Sequence, residues 1–279
     1  MIEAFFLLLH LVFRHRMITS LQNDKVKLVR AIKERPRARR DSGAFLCEGV
    51  RLLEEGLAAV WPTRFLLYAE DLSERAATIL ESYQQLGVPA EEVSAKIIQA
   101  ISDTEQTQGI LAVMSMEVLP LPIERDFVVI PAQMRDPGNL GTILRTAAAA
   151  GVDAILIPPG TTDAFAPKVL RAGMGAHFRL PIHLMNWDAI HSYFDITPRL
   201  NVFLASAGGG RPYTDVDLNK PLAFIIGGEA FGADQAAMSL VDETIHIQMP
   251  GKMESLNAAN AAAILIFEAL RQRRQARYS

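Results

Sequence analysis

The chain has 279 residues, half of them hydrophobic, and a formal net charge of −3, which is enough apolar material for two medium domains and excludes a bulk positive field acting on nucleic acid. The single cysteine, Cys47, excludes an internal disulfide and a Cys-rich zinc site, and suits a reducing cytosol. His10, His15, His177, His183, His191 and His246 are scattered without the spacing a metal site needs, so no metal is expected.

The opening stretch MIEAFFLLLHLVFRHR holds an apolar run of about ten residues, too short to span a bilayer. Glu3 precedes that run while Arg14 and Arg16 follow it, the reverse of a secretory signal. Residues 1–16 are therefore expected to be an upstream extension from a misplaced start codon, with a cytoplasmic domain beginning at Met17. From there to Met116 helix and strand alternate. NDKVKLVRAIKE, VRLLEEGLAAV, AATILESYQQLG and VSAKIIQAIS read as helices, and GAFLCEG, RFLLYAE and GILAVMSM as strands. A small α/β domain over residues 17–116 results. The segment EVLPLPIERD, with two prolines and mixed charges, reads as a linker over residues 117–125.

The second domain, residues 126–279, repeats the alternation with apolar strands at FVVIPA, AILIPP, NVFLASA, LAFIIGG and TIHIQMP. These read as buried strands of a parallel sheet. A helix is expected over roughly Leu140 to Ala150, closed by a left-handed cap at Gly151. AANAAAILIFEALRQRR reads as the last helix, whose small residues permit close backbone packing.

Three loops follow strands of this sheet and should gather at its carboxyl edge, where open α/β sheets bind ligands. The first, RDPGNLGTILR, places Asn139 in the loop and Arg145 facing out of the helix; it also reads as an ordinary turn and cap. The second, IIGGEAFG, surrounds Glu229 with Gly227, Gly228 and Gly232. It is neither a dinucleotide fingerprint nor a P-loop, and reads either as a close backbone approach to a ligand or as a glycine turn bearing a solvated carboxylate. In the third, IHIQMPGKMESLNAANAAAILIFEAL, Ser255 and Asn257 stand at the start of the last helix, where a capping role competes with a binding one.

Together these loops resemble the motifs of the SpoU (TrmH) family of RNA ribose 2′-O-methyltransferases in the SPOUT superfamily. Asn139, Gly141 and Arg145 match its first motif, Gly227, Glu229 and Gly232 its second, and IQMPGKMESLN its third. FLCEGVRLLEEGL and TQGILAV resemble its amino-terminal RNA-binding domain. The resemblance implies a trefoil knot in the carboxyl-terminal α/β domain, S-adenosylmethionine bound within the knotted loops, and a homodimer whose interface borders the active site. It implies a cofactor pocket formed by Gly227, Ile247, Met249 and Leu256, with Ala205 and Ser206 beside them. Two departures stand out: Ala258, Ala259, Asn260 and Ala261 follow SLN where Val-Ser-Val-Ala is usual, and Gly173 stands near Arg171 where the family often has Ser.

Methyl transfer to a sugar hydroxyl needs stabilisation of alkoxide character and in-line positioning. The resemblance makes Arg145 the central residue. A guanidinium rarely gives up its proton, which favours a cationic stabiliser over a base. Asn139, Glu229, Ser255 and Asn257 would orient the ribose, the arginine and the cofactor. The run KVKLVRAIKERPRARR, with Lys25, Lys27, Arg30, Arg37, Arg39 and Arg40, reads as a basic helix and loop for RNA phosphates, against the alternative of a solvated helix face. Ribosomal RNA is favoured over transfer RNA as substrate because of the extra amino-terminal domain. A non-catalytic RNA-binding member is the alternative; an oxidoreductase or kinase lacks its phosphate loop.

Overall fold

The computed structural model describes residues 17–195, 199–227, 235–251 and 253–276. Residues 1–16, and Gly228, Glu229 and Gly232 of the second motif, lie outside the described residues. The chain divides into two compact units at Glu117/Val118.

The first unit runs α1 (Asp24–Glu34), α2 (Pro36–Ser42), β1 (Ala44–Glu48), α3 (Val50–Ala58), β2 (Thr63–Tyr68), α4 (Glu74–Gln85), β3 (Ala90–Glu92), α5 (Ala95–Ile101) and β4 (Ile110–Ser115). Its sheet has the order β1-β4-β2-β3, antiparallel except for the β2/β3 pair. Val26, Val29 and Ile32 recur on one face of α1 and bury against Ile97, Ile98 and Ile101 of α5 and the sheet residues Leu46 and Val113. Burial raises the Cys47 thiol well above its ordinary range, so this side chain is an inert apolar filler.

The basic stretch departs from the expected helix and loop. Pro36 opens a second helix, because its fixed φ and missing N–H suit the first helical position. Arg39 then faces inward: it is 2% exposed, and its Nη1 donates to the carbonyls of Ile32 (2.5 Å) and Lys33 (3.2 Å) at the end of α1. The expectation that Arg39 contacts RNA is thereby corrected, since its guanidinium satisfies the orphan carbonyls of a helix terminus. Lys25 is also engaged, 2.6 Å from Glu91 and over the Phe65 ring. Lys27 and Arg37 make solvated pairs with Asp24 and Asp41, and Arg30 and Arg40 are exposed.

The second unit runs β5 (Phe127–Ala132), α6 (Pro137–Ala150), β6 (Ala154–Ile157), α7 (Pro167–Gly173), β7 (Ile182–Leu184), α8 (Trp187–Phe194), β8 (Asn201–Ser206), β9 (Arg211–Pro212), β10 (Leu222–Gly227), α9 (Gln235–Met238), β11 (Glu243–His246) and α10 (Ala258–Ala276). Its seven strands lie in the order β7-β6-β5-β10-β8-β11-β9, every pairing parallel. β5 and β6 are buried along their whole length, as strands covered on both faces must be. Upstream of β5 the chain is tied to this unit. His183 Nε2 lies 2.8 Å from the Leu119 carbonyl, Tyr193 Oη donates to Pro122 (3.0 Å), and Arg125 donates to the Tyr193 carbonyl (2.6 Å) while stacking on the Tyr193 ring.

Candidate active site

The register aligns the carboxyl ends of the central strands. Gly227 of β10 is opposite Ala132 of β5, Ile226 opposite Ala205 of β8, and His246 of β11 opposite Ser206. The loops that follow these strands therefore open on one edge of the sheet, the position at which such sheets hold ligands. Ala205, Ser206 and Gly227, expected beside a cofactor, all lie on this edge.

Leaving β5, the chain turns sharply at Gln133, whose φ of +50° is uncommon for a residue with a side chain. Thr161 Oγ1 braces the turn by donating to the Pro131 carbonyl (2.9 Å) and accepting from the Met134 N–H (3.3 Å). Asp136 then caps α6, its Oδ1 accepting from the Asn139 N–H at 2.8 Å, with Pro137 in the first turn. Asn139 is therefore helical rather than in the loop: the cap lies three residues earlier than the sequence suggests, and Asp136 performs it. Gly151 closes α6 in the left-handed conformation, as expected.

Asn257 reaches the same place from the other end of the unit. Its Oδ1 accepts from the N–H groups of Ala259 (2.9 Å) and Asn260 (3.4 Å), capping α10, while its Nδ2 donates to Asn139 Oδ1 at 3.0 Å. Two side chains 118 positions apart thus join the first and third motifs. Ser255 and Leu256 lie exposed in the turn that leads into α10. Arg145 is exposed, six residues beyond Asn139, about 9 Å along the helix and roughly 120° around it. It does not line the cleft described next.

That cleft, of about 550 Å³, opens where β11 ends and is lined by Ala207, His246, Ile247, Gln248, Met249, Pro250, Met253 and Glu254. It contains the expected Ile247 and Met249. Of the other six, Gln248, Pro250, Met253 and Glu254 lie in irregular chain that carries no periodic signal, and nothing in the sequence marks Ala207 or His246. Its volume falls within the range of roughly 300–1,000 Å³ typical of small-molecule and cofactor pockets. Among the described residues, His246 Nδ1 is buried without a hydrogen-bond partner.

Gly141 of the first motif has a packing role. A Cβ there would lie 2.5 Å from Ala172 Cβ, 2.6 Å from the Val169 carbonyl oxygen and 3.0 Å from the Gly173 nitrogen, all on α7. The helix that carries Asn139 and Arg145 is thus seated backbone to backbone on its neighbour. Behind α7 lies His177, whose Nε2 is 2.7 Å from the Ala164 carbonyl. Burial lowers its pKa to about 4, against smaller opposing effects of that hydrogen bond and of Asp163.

A parallel α/β unit whose loops gather at the carboxyl edge of its sheet is an architecture that holds ligands there, and the comparisons make the assignment specific. Residues 126–267 match the SpoU rRNA Methylase family, and residues 23–112 match the MRM3-like substrate binding domain. The chain belongs to the SpoU rRNA methylase family. It is 34% identical over 90% of its length to the 23S rRNA (guanosine(2553)-2′-O)-methyltransferase RlmP of Bacillus subtilis, covering 98% of that protein. It is 30% identical over 92% of its length to the 23S rRNA (uridine(2479)-2′-O)-methyltransferase of Streptomyces viridochromogenes, covering 93% of it. The crystal structure of the SpoU methyltransferase AviRb from that organism, in complex with AdoMet, superposes with a TM-score of 0.80 at 27% identity, over 91% of this chain and all of that one.

Among the described residues no helix is long and apolar enough to cross a membrane, and no group of three or more His, Cys, Asp or Glu side chains could hold a metal ion.

Proposed function

We propose that this chain methylates a ribose 2′-hydroxyl of ribosomal RNA with S-adenosylmethionine, using residues 17–116 to bind the RNA, 117–125 as the connection and 126–279 for catalysis. The observation that carries the reading is the Asn139–Asn257 hydrogen bond, which unites two family motifs at the sheet edge that also bears the cleft. The cleft's chemistry suits the cofactor. Ile247, Met249, Pro250 and Met253 offer apolar surface to a flat base, and Glu254 offers a carboxylate to an ammonium group. Ala205, Ser206, Gly227 and Leu256 would complete the holding set. When bound, S-adenosylmethionine supplies a methyl group already activated on a sulfonium.

The chain's own task is then the nucleophile. Arg145, a solvent-facing cation on a rigid helix, would stabilise the developing negative charge on the sugar oxygen, with the adjacent phosphate as its second anion. Asn139 and Asn257, fixed against each other, would orient the ribose by hydrogen bonds, with Ser255 and Glu229 completing the set. Orientation of this kind contributes roughly 7–11 kcal/mol to such reactions. Arg30 and Arg40 would steer RNA phosphates, with Lys25, Lys27 and Arg37 adding weaker attraction because each already has an acidic partner.

A homodimer through the catalytic unit accords with Phe267, 48% exposed midway along α10. The trefoil knot and a cytoplasmic location belong to the same reading. The test is Arg145→Ala. The methylation rate should fall at least about a hundredfold, the size of effect seen when one charge-stabilising donor is removed, while calorimetric affinity for S-adenosylmethionine stays within about twofold. Equal losses in both would contradict the assigned role, and mapping 2′-O-methyl positions in cells lacking the gene would identify the RNA.

A further inference from the structure

We infer that Arg135 and Lys168 hold backbone phosphates of the RNA strand that flanks the methylated ribose. The inference rests on the methyltransferase reading above and deepens it, by naming where the second unit grips its substrate.

Most exposed cations of this unit are neutralised by a neighbour: Arg199 pairs with Asp242, Arg211 with Glu243, Lys220 with Asp217 and Arg271 with Glu268. Among the described residues of the unit, the exposed cations without a hydrogen-bond or ion-pair partner are Arg135, Arg145, Lys168 and Arg274. Arg274 follows Arg273, which pairs with Asp126 ahead of β5, and so lies towards the amino edge of the sheet. The other three lie on α6, on α7 or in the loop that leads into α6.

The loops before α6 and α7 are fastened together. The Thr162 N–H donates to the Met134 carbonyl at 2.8 Å, beside the turn that Thr161 braces. Arg135 stands immediately before the Asp136 cap. Lys168 stands next to Val169, whose carbonyl meets α6 at Gly141, two residues beyond Asn139. The carboxylates closest to the two cations in sequence are turned to backbone, Asp136 to the Asn139 N–H (2.8 Å) and Asp163 to the Phe165 N–H (2.9 Å). Two positive charges are therefore held on braced chain, without acidic partners, beside the start of the helix that carries Asn139.

The chemistry of the substrate selects what they bind. A ribose within an RNA strand is bonded to a phosphate on each side, so seating it at Asn139 brings anions to this face. With a net charge of −3 the protein exerts no bulk attraction on them, and local cations must supply it. Arg145 takes the reacting oxygen and one adjoining phosphate; Arg135 and Lys168 take phosphates further along the strand.

The experiment is filter binding of an unmodified large-subunit ribosomal RNA transcript to the full chain across a salt series, with calorimetric titration of S-adenosylhomocysteine on the same proteins. Arg135→Ala and Lys168→Ala should each lower the salt-dependence slope by about 1, and the double variant by about 2. At constant salt the double variant should bind the RNA at least about tenfold more weakly, with its S-adenosylhomocysteine affinity within about twofold of wild type. Arg135→Lys should keep the wild-type slope, since charge is what is read, and Arg274→Ala should behave as wild type. The inference is overturned if the double variant keeps the wild-type slope, or if Arg274→Ala lowers it as much, which would show net charge acting at long range. A loss of S-adenosylhomocysteine affinity matching the loss of RNA binding would also overturn it, by placing the cofactor's carboxylate at these cations. Failure of wild type to bind S-adenosylhomocysteine or the RNA would instead overturn the methyltransferase reading, and this inference with it.

Discussion

Gly141→Ala tests the claim that the helix carrying Asn139 and Arg145 is positioned by a close backbone approach. The added methyl would sit 2.6 Å from the Val169 carbonyl oxygen and 2.5 Å from Ala172 Cβ. Neither can swing aside as the end of a flexible side chain could, so α6 and α7 must separate by several tenths of an ångström. Overpacking of this kind costs about 1–3 kcal/mol, and contact with backbone places it near the upper end. The higher helix propensity of Ala returns about 1 kcal/mol, leaving a net loss of about 2 kcal/mol. For a unit of this size that corresponds to a fall in Tm of roughly 4–8 °C, measurable by circular dichroism and independently by urea titration. Displacement of α6 also pulls Asn139 from Asn257, so methylation should fall more than cofactor affinity. A variant that is more stable than wild type by about 1 kcal/mol would show propensity acting alone and would refute the close approach.

Protonation of His177 should link stability to pH. The unfolded chain takes up this proton below pH 6.5 and the folded chain only near pH 4. The stabilisation is thus complete above 6.5 and lost as pH falls towards 4, by about 3 kcal/mol in total. Urea titrations should show this slope in wild type, and it should be absent from His177→Leu once the common carboxylate titration is subtracted. Asn257→Ser retains a capping oxygen but cannot span to Asn139. Its stability should change by less than about 1 kcal/mol while the methylation rate drops at least about tenfold. In the first unit, Arg39→Leu should destabilise by about 2 kcal/mol through loss of its buried hydrogen bonds. Arg30→Ala and Arg40→Ala should leave Tm unchanged while each lowers the salt-dependence slope of RNA binding by about 1, as read by filter binding across a salt series.

The apolar runs of β5, β6 and β10 are legible because strands buried on both faces leave no polar alternation to dilute the signal. Gly151 was legible as a cap for a similarly local reason. By contrast, α2 was hidden by Pro36, which reads as a breaker after Glu34 and Arg35 yet serves as a helix opener once the chain has turned. β3, β7 and β9 span three, three and two residues, too few for any period to register, and β9 contains a proline that only an edge strand tolerates. The inward turn of Arg39 is hidden because charge in a basic run looks solvated, whereas the unmet carbonyls at the end of α1 are visible only in three dimensions. The same holds for Met253 and Glu254. They lie within or beside a recognised motif, but nothing in an irregular segment marks which side chains face a cavity.

For Asn257, the capping and binding readings of the sequence looked like rivals, and the geometry makes them one. The amide oxygen is directed at the first turn of α10 and the amide nitrogen at Asn139. Serine could cap but not reach across, and aspartate could cap but has no donor for the far side, so the dual task itself demands an amide. Asn139 in turn is held by the Asp136 cap, so the first turns of α6 and α10 fix one another at the sheet edge. The cleft-wall residues Ile247, Met249 and Glu254 are consequently anchored on one side by the β11 ladder at His246 and on the other by a helix start locked to α6. A ligand seated against that wall is thereby placed relative to Asn139 through hydrogen bonds and helix geometry alone, which is the positional control that an in-line transfer requires.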